Sequence, residues 1–480
     1  MSTLSHPFPA SECAPQAEAA ALEVLGYVGV VGIGTLCFLF GWLTPNGAAV
    51  LTVLLLTALI VLAWKRFDEG RHPCFVLLCT LMFFQGGGLL AYCLGAGNDP
   101  LQVQIMTPNP FYLARDETGL ALLLLPIAAI CVYAPCRWNY QRVPPPSSVK
   151  VTRYLPYLYL VFFATLPVQL FKNYRYYQFV QEHGGYTFIY VNHAALAASV
   201  PFLVRIVPLV TFPAFVAIFA FEHRKKYLVL TTVLYFFSAS FILLLGSRVA
   251  TFSLILALWC VARMKSTKKV RVLRVLGLAL VLLMVGDAVN KLRGGEDVGT
   301  TFAPVTVLAG QGISFNVTEM AVKYRHLFSP YGTSYLLREL TDAFISNDAS
   351  NYYRGRALAF DISVLLNPQL FALGFGTGSS WIAEAYVVGG ATGVIIASLS
   401  IGFVLRLARY LSRSALWLFV VAMVLPDLLV MPRSGLLDWV SALLRSAVAV
   451  ALLAIGWQFY RLLLSIRRAP TSACAAAVAS

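Results

Sequence analysis

Charge is the first thing this chain is short of. Asp, Glu, Lys and Arg make up 12% of its 480 residues, about half the share of an ordinary soluble domain, which excludes a surface bathed everywhere in water. The opening stretch "MSTLSHPFPASECAPQAEAAALEVLG" has no lysine or arginine. It lacks the basic n-region of a cleaved secretory signal, so the first apolar run is expected to stay as a span. Nine cysteines (13, 37, 74, 79, 93, 131, 136, 260 and 474) lie in apolar runs or at their ends without paired metal spacing. That pattern suggests neither a disulfide framework nor a zinc site, and no metal or cofactor is expected. Internal repeats are missing, and the one biased segment is an alanine-rich tail.

What the chain has in quantity is apolar sequence: 59% of it is hydrophobic and its mean hydropathy is +0.76. This is the composition of an all-α polytopic membrane protein. A helix needs about 20 apolar residues to cross about 30 Å of hydrocarbon. Twelve runs qualify, centred on 24–44, 47–64, 74–95, 118–135, 154–171, 199–221, 228–246, 249–263, 275–289, 383–405, 415–431 and 436–460. A net charge of +15 on a soluble protein would suggest nucleic acid. In a membrane protein it reflects basic residues held on the cytoplasmic face, and no nucleic-acid partner is expected.

The alternate loops bear this out. "KRFDEGRHP", "CRWNYQRVPPPSSVKVTR", "EHRKK", "RMKSTKKVRVLR", "RLARYLSR" and "YRLLLSIRR" together hold 22 of the 36 lysines and arginines. That set is read as cytoplasmic, and both termini with it. The expected organisation is a cytoplasmic tail over 1–22, spans one to nine over 23–289, a long outer loop over 290–382, spans ten to twelve over 383–460 and a cytoplasmic tail over 461–480. Within the loop, "TSYLLRELTDAFISN" sets Leu336, Leu337, Leu340 and Phe344 at helical spacing after Thr333 and Ser334, either of which can cap an N-terminus. An amphipathic helix is predicted there, lying against the membrane surface or simply covering the spans.

Arginine supplies the first chemical signal. Arg248, in "LLLGSRVATF", falls at the outer turn between spans seven and eight; Arg433 lies in the turn "VMPRSGLLDW"; Arg205 is near the outer end of span six; Arg293 follows span nine; Arg445 sits about two turns into span twelve. A snorkelling role is open to Arg248, and Arg445 has Asp427 or Asp287 as a potential structural partner. Several guanidinium groups at one membrane level suit an anion, because their planar donor fork can hold two phosphate oxygens at once. A lipid-linked pyrophosphate carries its charge at that depth.

Aromatics and a glycine-serine turn supply the second and third. "YRYYQFVQEHGGYTFIY" includes Tyr177 among several rings, and the long loop adds Tyr324, Tyr331, Tyr335, Tyr352 and Tyr353. Such rings stack on sugar faces or form an interfacial belt. In "FGFGTGSSWIAEAYVVGGATGV", Gly374, Gly376 and Gly378 with Ser379 and Ser380 precede a helix that carries Glu384 one turn in and Tyr386 just after it. A helix N-terminus favours a bound anion, and an outward carboxylate beside arginines suits a general base. Plain capping and helix packing are the alternative. Asp287, Glu296, Asp297, Glu319, Glu339, Asp342, Asp348 and Asp361 are further outer or interfacial carboxylates that leave the base open.

With these residues in view, the chain resembles the Wzy-type O-antigen polysaccharide polymerases. The likeness runs through "LLLGSRVATFSLIL", "GQGISFNV", "GFGTGSSWIAEAYVVGGATGVIIASLSIG" and "MPRSGLLDW", over roughly residues 200 to 440; the first five spans are similar only in hydropathy. It implies a fold similar to the all-helical GT-C-type membrane glycosyltransferases and metal-independent chemistry, in keeping with the lack of a D-x-D pair in the first outer loop. The activity implied is polymerisation of oligosaccharide repeat units on the periplasmic side of the bacterial inner membrane, in lipopolysaccharide biosynthesis. The growing glycan on undecaprenyl pyrophosphate is then the donor, a single lipid-linked unit the acceptor, and a chain-length-regulating co-polymerase a partner. Arg248 and Arg433, with Arg293, Arg205 and Arg445 in the same basic set, would hold the pyrophosphate. Glu384 would act on the acceptor hydroxyl, and Gln311, Asn316, Tyr324, Tyr177 and Tyr386 would contact glycan.

Two other readings use the same features. An O-antigen ligase would share the donor, but ligases show a histidine and asparagine pair opening the helix after the long loop, where this chain reads "SSWIAEAY"; the histidine of that loop is His326. A lipid-linked oligosaccharide flippase would show a broken span, and "FFQGGGLLAY" is the stretch that fits one.

Overall fold

Glycine, proline and capping residues cut the apolar sequence into helices. The computed structural model describes residues 14–468 apart from 96–101, 104–110, 113, 139, 141–143, 147–150, 186–187, 246–247, 293–302, 313 and 342–351. The helix Pro45–Arg66 begins with Thr44, whose side chain accepts from Gly47 N at 3.1 Å. Pro45 takes a first-turn position where no N–H is needed, and Lys65 and Arg66 sit in the last turn. Helices occupy all twelve predicted runs. Among the described residues nine helices are long and apolar enough to cross a membrane, and a tenth span is formed if the bent pair Pro73–Phe84 and Gly87–Cys93 counts as one. The β structure among the described residues is one two-residue antiparallel pairing, Gln102–Val103 with Phe111–Tyr112.

The main core centres on the helix Arg115–Arg137. It lies along Trp381–Leu411 and against Pro45–Arg66, where Cys136 Sγ donates to Gly402 O at 3.2 Å and Thr52 Oγ1 to Leu122 O at 3.3 Å. The 62° bend between Pro73–Phe84 and Gly87–Cys93 falls at Gln85 and Gly86. There the chain meets the segment that joins Ala303–Gln311 to Ser314–Lys323, because Gly312 and Gly88 touch backbone to backbone with no room for a Cβ on Gly312.

The long loop folds on its own second core. Val317, Met320, Ala321, Phe328, Tyr335, Leu358 and Ile362 pack on Ala383 and Val387 of the helix Trp381–Leu411. The predicted amphipathic helix is present as Gly332–Thr341. It starts ahead of Thr333 and Ser334, so neither caps it; Ser334 Oγ instead donates to Gly355 O at 2.9 Å. Phe344 lies outside the described residues. The helix docks on Asp438–Arg468 and Trp381–Leu411. Its buried anchor is Tyr335, 1% exposed, while Leu337 is 59% exposed. Tyr335 OH donates to Asp361 Oδ2 at 2.6 Å. With Tyr335 turned inward, Glu339, one turn on, faces the same neighbours.

Candidate functional site

The site forms where the helix Trp381–Leu411 begins and Ala415–Val430 hands over to Asp438–Arg468. Ser380 caps the first of these in an extended conformation, its side chain accepting from Ile382 N at 3.3 Å. Glu384 follows in the first turn, 3% exposed. A buried carboxylate needs donors, and Glu384 has two. Ser379 Oγ donates to its Oε1, and Leu436 N donates to its Oε2 at 2.7 Å. The predicted glycine-serine turn is therefore present, with Gly374 and Gly378 at positive φ; Ser379 holds the glutamate and Ser380 caps the helix.

Leu436 belongs to a run of three amides that each serve a different carboxyl group. Gly435 N donates to Asp438 Oδ2 at 2.7 Å, Leu436 N to Glu384, and Leu437 N to Glu339 Oε2. Glu339 and Glu384 are themselves hydrogen-bonded to each other. Glu339 Oε1 fills the space where a Cβ on residue 435 would stand, so glycine is required there for the approach. Burial, and after it the facing Glu384 carboxyl, hold Glu339 well above the usual carboxylate range.

Arg433 stands two residues before that run, in the one-turn helix Met431–Arg433. Its Nη1 donates to Gln311 Oε1, and its guanidinium lies 5.8 Å from the centre of the Phe84 ring. On its other side is Gly378: a Cβ built there would stand 3.9 Å from Arg433 Nε. Beneath the turn, Gln85 is fully buried. Its Nε2 donates to Pro432 O at 2.6 Å and Ser314 O at 3.1 Å, and its Oε1 accepts from Thr318 Oγ1 at 3.1 Å. One amide at the bend between Pro73–Phe84 and Gly87–Cys93 thus ties together the Arg433 turn and the start of the helix Ser314–Lys323. Sequence reasoning missed Gln85 in this role. Its signal was visible as a polar residue ahead of "GGG" in an apolar run, and was read as evidence for a flippase.

Glu384, Arg433 and Gln311 are brought together; the other expected residues are distributed more widely. Arg445 is exposed and interacts electrostatically with Asp427 and Asp438, in line with the structural partner weighed from sequence. Arg205, on the short helix Phe202–Ile206, has its guanidinium 5.6 Å from the Phe202 ring centre and interacts with Tyr176. Arg248 opens the helix Arg248–Lys265, but its side chain lies outside the described residues, as does all of Arg293. Asn316 Nδ2 donates to Glu319 Oε2 at 2.6 Å. Glu319 is wholly buried, and burial pushes its carboxyl up to about 8 against the opposing hydrogen bond from Asn316.

The aromatic residues divide in the same way. Tyr386 is half-buried, with the Arg325 guanidinium 5.5 Å from its ring centre and Arg325 Nε donating to its carbonyl at 3.2 Å. Tyr324, also half-buried, has Lys323 Nζ 5.4 Å from its ring centre. Tyr177 packs 6.1 Å from Phe241 in a small cluster with Val180 and Leu245. Tyr335 and Tyr352 both donate to Asp361, at 2.6 and 3.1 Å, so these two hydroxyls brace the loop.

Among the described residues, metal-type donors gather in His72, Cys74 and Cys136, all buried. His72 Nδ1 accepts from Cys74 N at 3.2 Å as a helix cap, and the Cys136 thiol is engaged by Gly402 O. The cluster fits close packing, at the end of the helix Pro73–Phe84 away from Gln85.

Fold and site together define a multi-pass, all-α membrane protein with a carboxyl pair and an arginine gathered at one end of its bundle. A family model described as O-antigen polysaccharide polymerase Wzy matches residues 28–464. The chain belongs to that family, whose activity is glycosyltransferase-like polymerisation of O-antigen repeat units. No curated protein and no solved structure matched the chain.

Proposed function

We propose that this protein joins undecaprenyl-pyrophosphate-linked repeat units on the periplasmic side of the inner membrane, with the growing glycan as donor and one lipid-linked unit as acceptor. An acceptor hydroxyl attacks the donor's anomeric carbon. The new glycosidic C–O bond forms as the bond to the pyrophosphate oxygen breaks, and the lipid pyrophosphate departs with the electron pair. Glu384 takes the hydroxyl proton as general base. Arg433, with Arg248 and Arg293, stabilises the charge that builds on the leaving pyrophosphate. Gln311, bonded to Arg433, holds the guanidinium or a sugar hydroxyl. Arg433 supplies positive charge at the point where other phosphoryl-leaving reactions often use a cation.

The observation that carries this reading is the convergence of Glu384 and Arg433 on one turn, "PRSGLLD": Glu384 accepts from Leu436 N of that turn, and Gly378, ahead of the Glu384 helix, lies against Arg433. The direction it faces is supported by charge. The helix Trp381–Leu411, kinked at Gly390, carries Glu384 in its first turn and Arg409 in its last, and the helix Pro45–Arg66 ends in Lys65 and Arg66. The basic ends thus gather away from the site, as expected for a cytoplasmic face.

The test is reconstitution of the purified protein with undecaprenyl-pyrophosphate-linked units. A ladder of repeat lengths that disappears in Arg433→Ala and Glu384→Gln supports the proposal. Glycan moved instead to a lipid A core would make the protein a ligase, and units that cross the bilayer unjoined would make it a flippase.

A further inference from the structure

The reaction needs one base, yet the site holds two glutamates in direct hydrogen-bond contact. Two carboxylates cannot share a hydrogen bond without a proton between them, so at least one is neutral. The surroundings of each decide which. Glu384 accepts from the Ser379 hydroxyl and from Leu436 N, and it sits in the first turn of the helical segment that opens at Trp381 and breaks at Gly390, the end that favours negative charge. Glu339 accepts from Leu437 N and sits in the last turn of Gly332–Thr341, the end that disfavours it.

Other groups facing the pair sharpen the asymmetry. Asp438, at the start of the helix packed against Gly332–Thr341, adds a third carboxyl whose charge acts on both glutamates, and Arg445 acts on it in turn. Gly435 lets Glu339 approach, since any Cβ there would collide with its carboxyl.

We propose that Glu339 is a positioning residue that stays protonated and donates its proton hydrogen bond to ionised Glu384, so that the pair carries a single negative charge and presents Glu384 as the base. This rests on the reading of Glu384 as the base. When Glu384 takes the acceptor's proton both carboxyls are neutral, and Glu384 returns that proton to water before the next turnover. The Glu339 proton never moves. A neutral donor at 339 also lowers the basicity of Glu384, keeping it ionised despite its burial.

The roles predict opposite responses to the same substitution. Glu339→Gln keeps a neutral donor, so the reconstituted enzyme should polymerise within a few-fold of wild type. Glu384→Gln should lose on the order of 10²-fold or more. The infrared difference spectrum of wild type minus Glu339→Gln at neutral pH should contain the C=O stretch of a protonated carboxyl. Glu339→Leu, which removes the donor, should move the acid limb of the pH-rate profile to higher pH, a shift that a purely structural role would not produce.

An inactive Glu339→Gln that is monodisperse in detergent, with Glu384→Gln active, would reverse the assignment. A difference spectrum showing only a lost carboxylate band would overturn the shared proton while leaving Glu384 as base. An active Glu384→Gln together with an active Glu339→Gln would instead remove the underlying reading, and the two failures are therefore distinguishable.

Discussion

Glu339 and Glu384 hydrogen-bond to each other while accepting from successive backbone amides, Leu437 N and Leu436 N. One glutamate comes from a loop helix, the other from the foot of a membrane helix, and the amides from the turn that starts a third. The site is the place where these three segments are pinned, so the residues that pin them should matter as much as those that react.

Arg433→Ala should slow repeat-unit polymerisation on the order of 10²-fold or more, by analogy with the loss of a donor to a developing anion. Arg433→Lys should recover only part of this, because an ammonium keeps the charge but not the planar fork that bonds Gln311 and that the proposed two-oxygen grip on a phosphate requires. Ladder formation by the reconstituted variants, each at saturating donor, checks both.

Gly435→Ala should be nearly inactive although it adds a single methyl group. That methyl would occupy the position of the Glu339 carboxyl, and overpacking of this kind costs about 1–3 kcal/mol. The thermal midpoint in detergent should fall, and Gly435→Ala combined with Glu339→Ala should regain stability without regaining activity. If the single variant polymerised normally, the close contact would have no functional weight.

Gln85→Leu should destabilise the protein and weaken polymerisation together. The substitution strands the carbonyls of Pro432 and Ser314 and the Thr318 hydroxyl, and each buried group left unsatisfied costs about 1–3 kcal/mol. Its effect should be nearly non-additive with Arg433→Ala in a double-mutant cycle, since Pro432 links the two.

Glu319 predicts a pH dependence of stability. Burial pushes its carboxyl up to about 8 in the folded protein, against 4.5 for an ordinary glutamate. Between those values the folded state binds more protons at this site than the unfolded state does, so stability falls as pH rises. The contribution is fully present below about 4.5 and is lost as pH climbs through about 8. Glu319→Gln removes the dependence, so the thermal midpoint of wild type should drop relative to the variant between pH 5 and pH 9. Parallel melting curves would show that Glu319 is not the group responsible.

Much of this protein was legible in one dimension because the bilayer acts as a uniform solvent. Apolar runs long enough to span it have to be helical, and helices stand at all twelve runs read from hydropathy. Glu384 was also legible, since a glycine-serine turn ahead of an apolar run marks a helix start by local chemistry alone. What the tertiary structure decided is which distant groups meet there. The amphipathic pattern of Gly332–Thr341 showed a helix but not its partner; Tyr335 bonding to Asp361 turned Glu339 toward Glu384. "FFQGGG" suggested a break in the apolar run but not its use, because the contact between Gly88 and Gly312 that helps bring Gln85 beneath Arg433 is long-range. Periodicity reports which face of a helix is apolar, whereas the pairing of polar groups depends on long-range packing that no local pattern encodes.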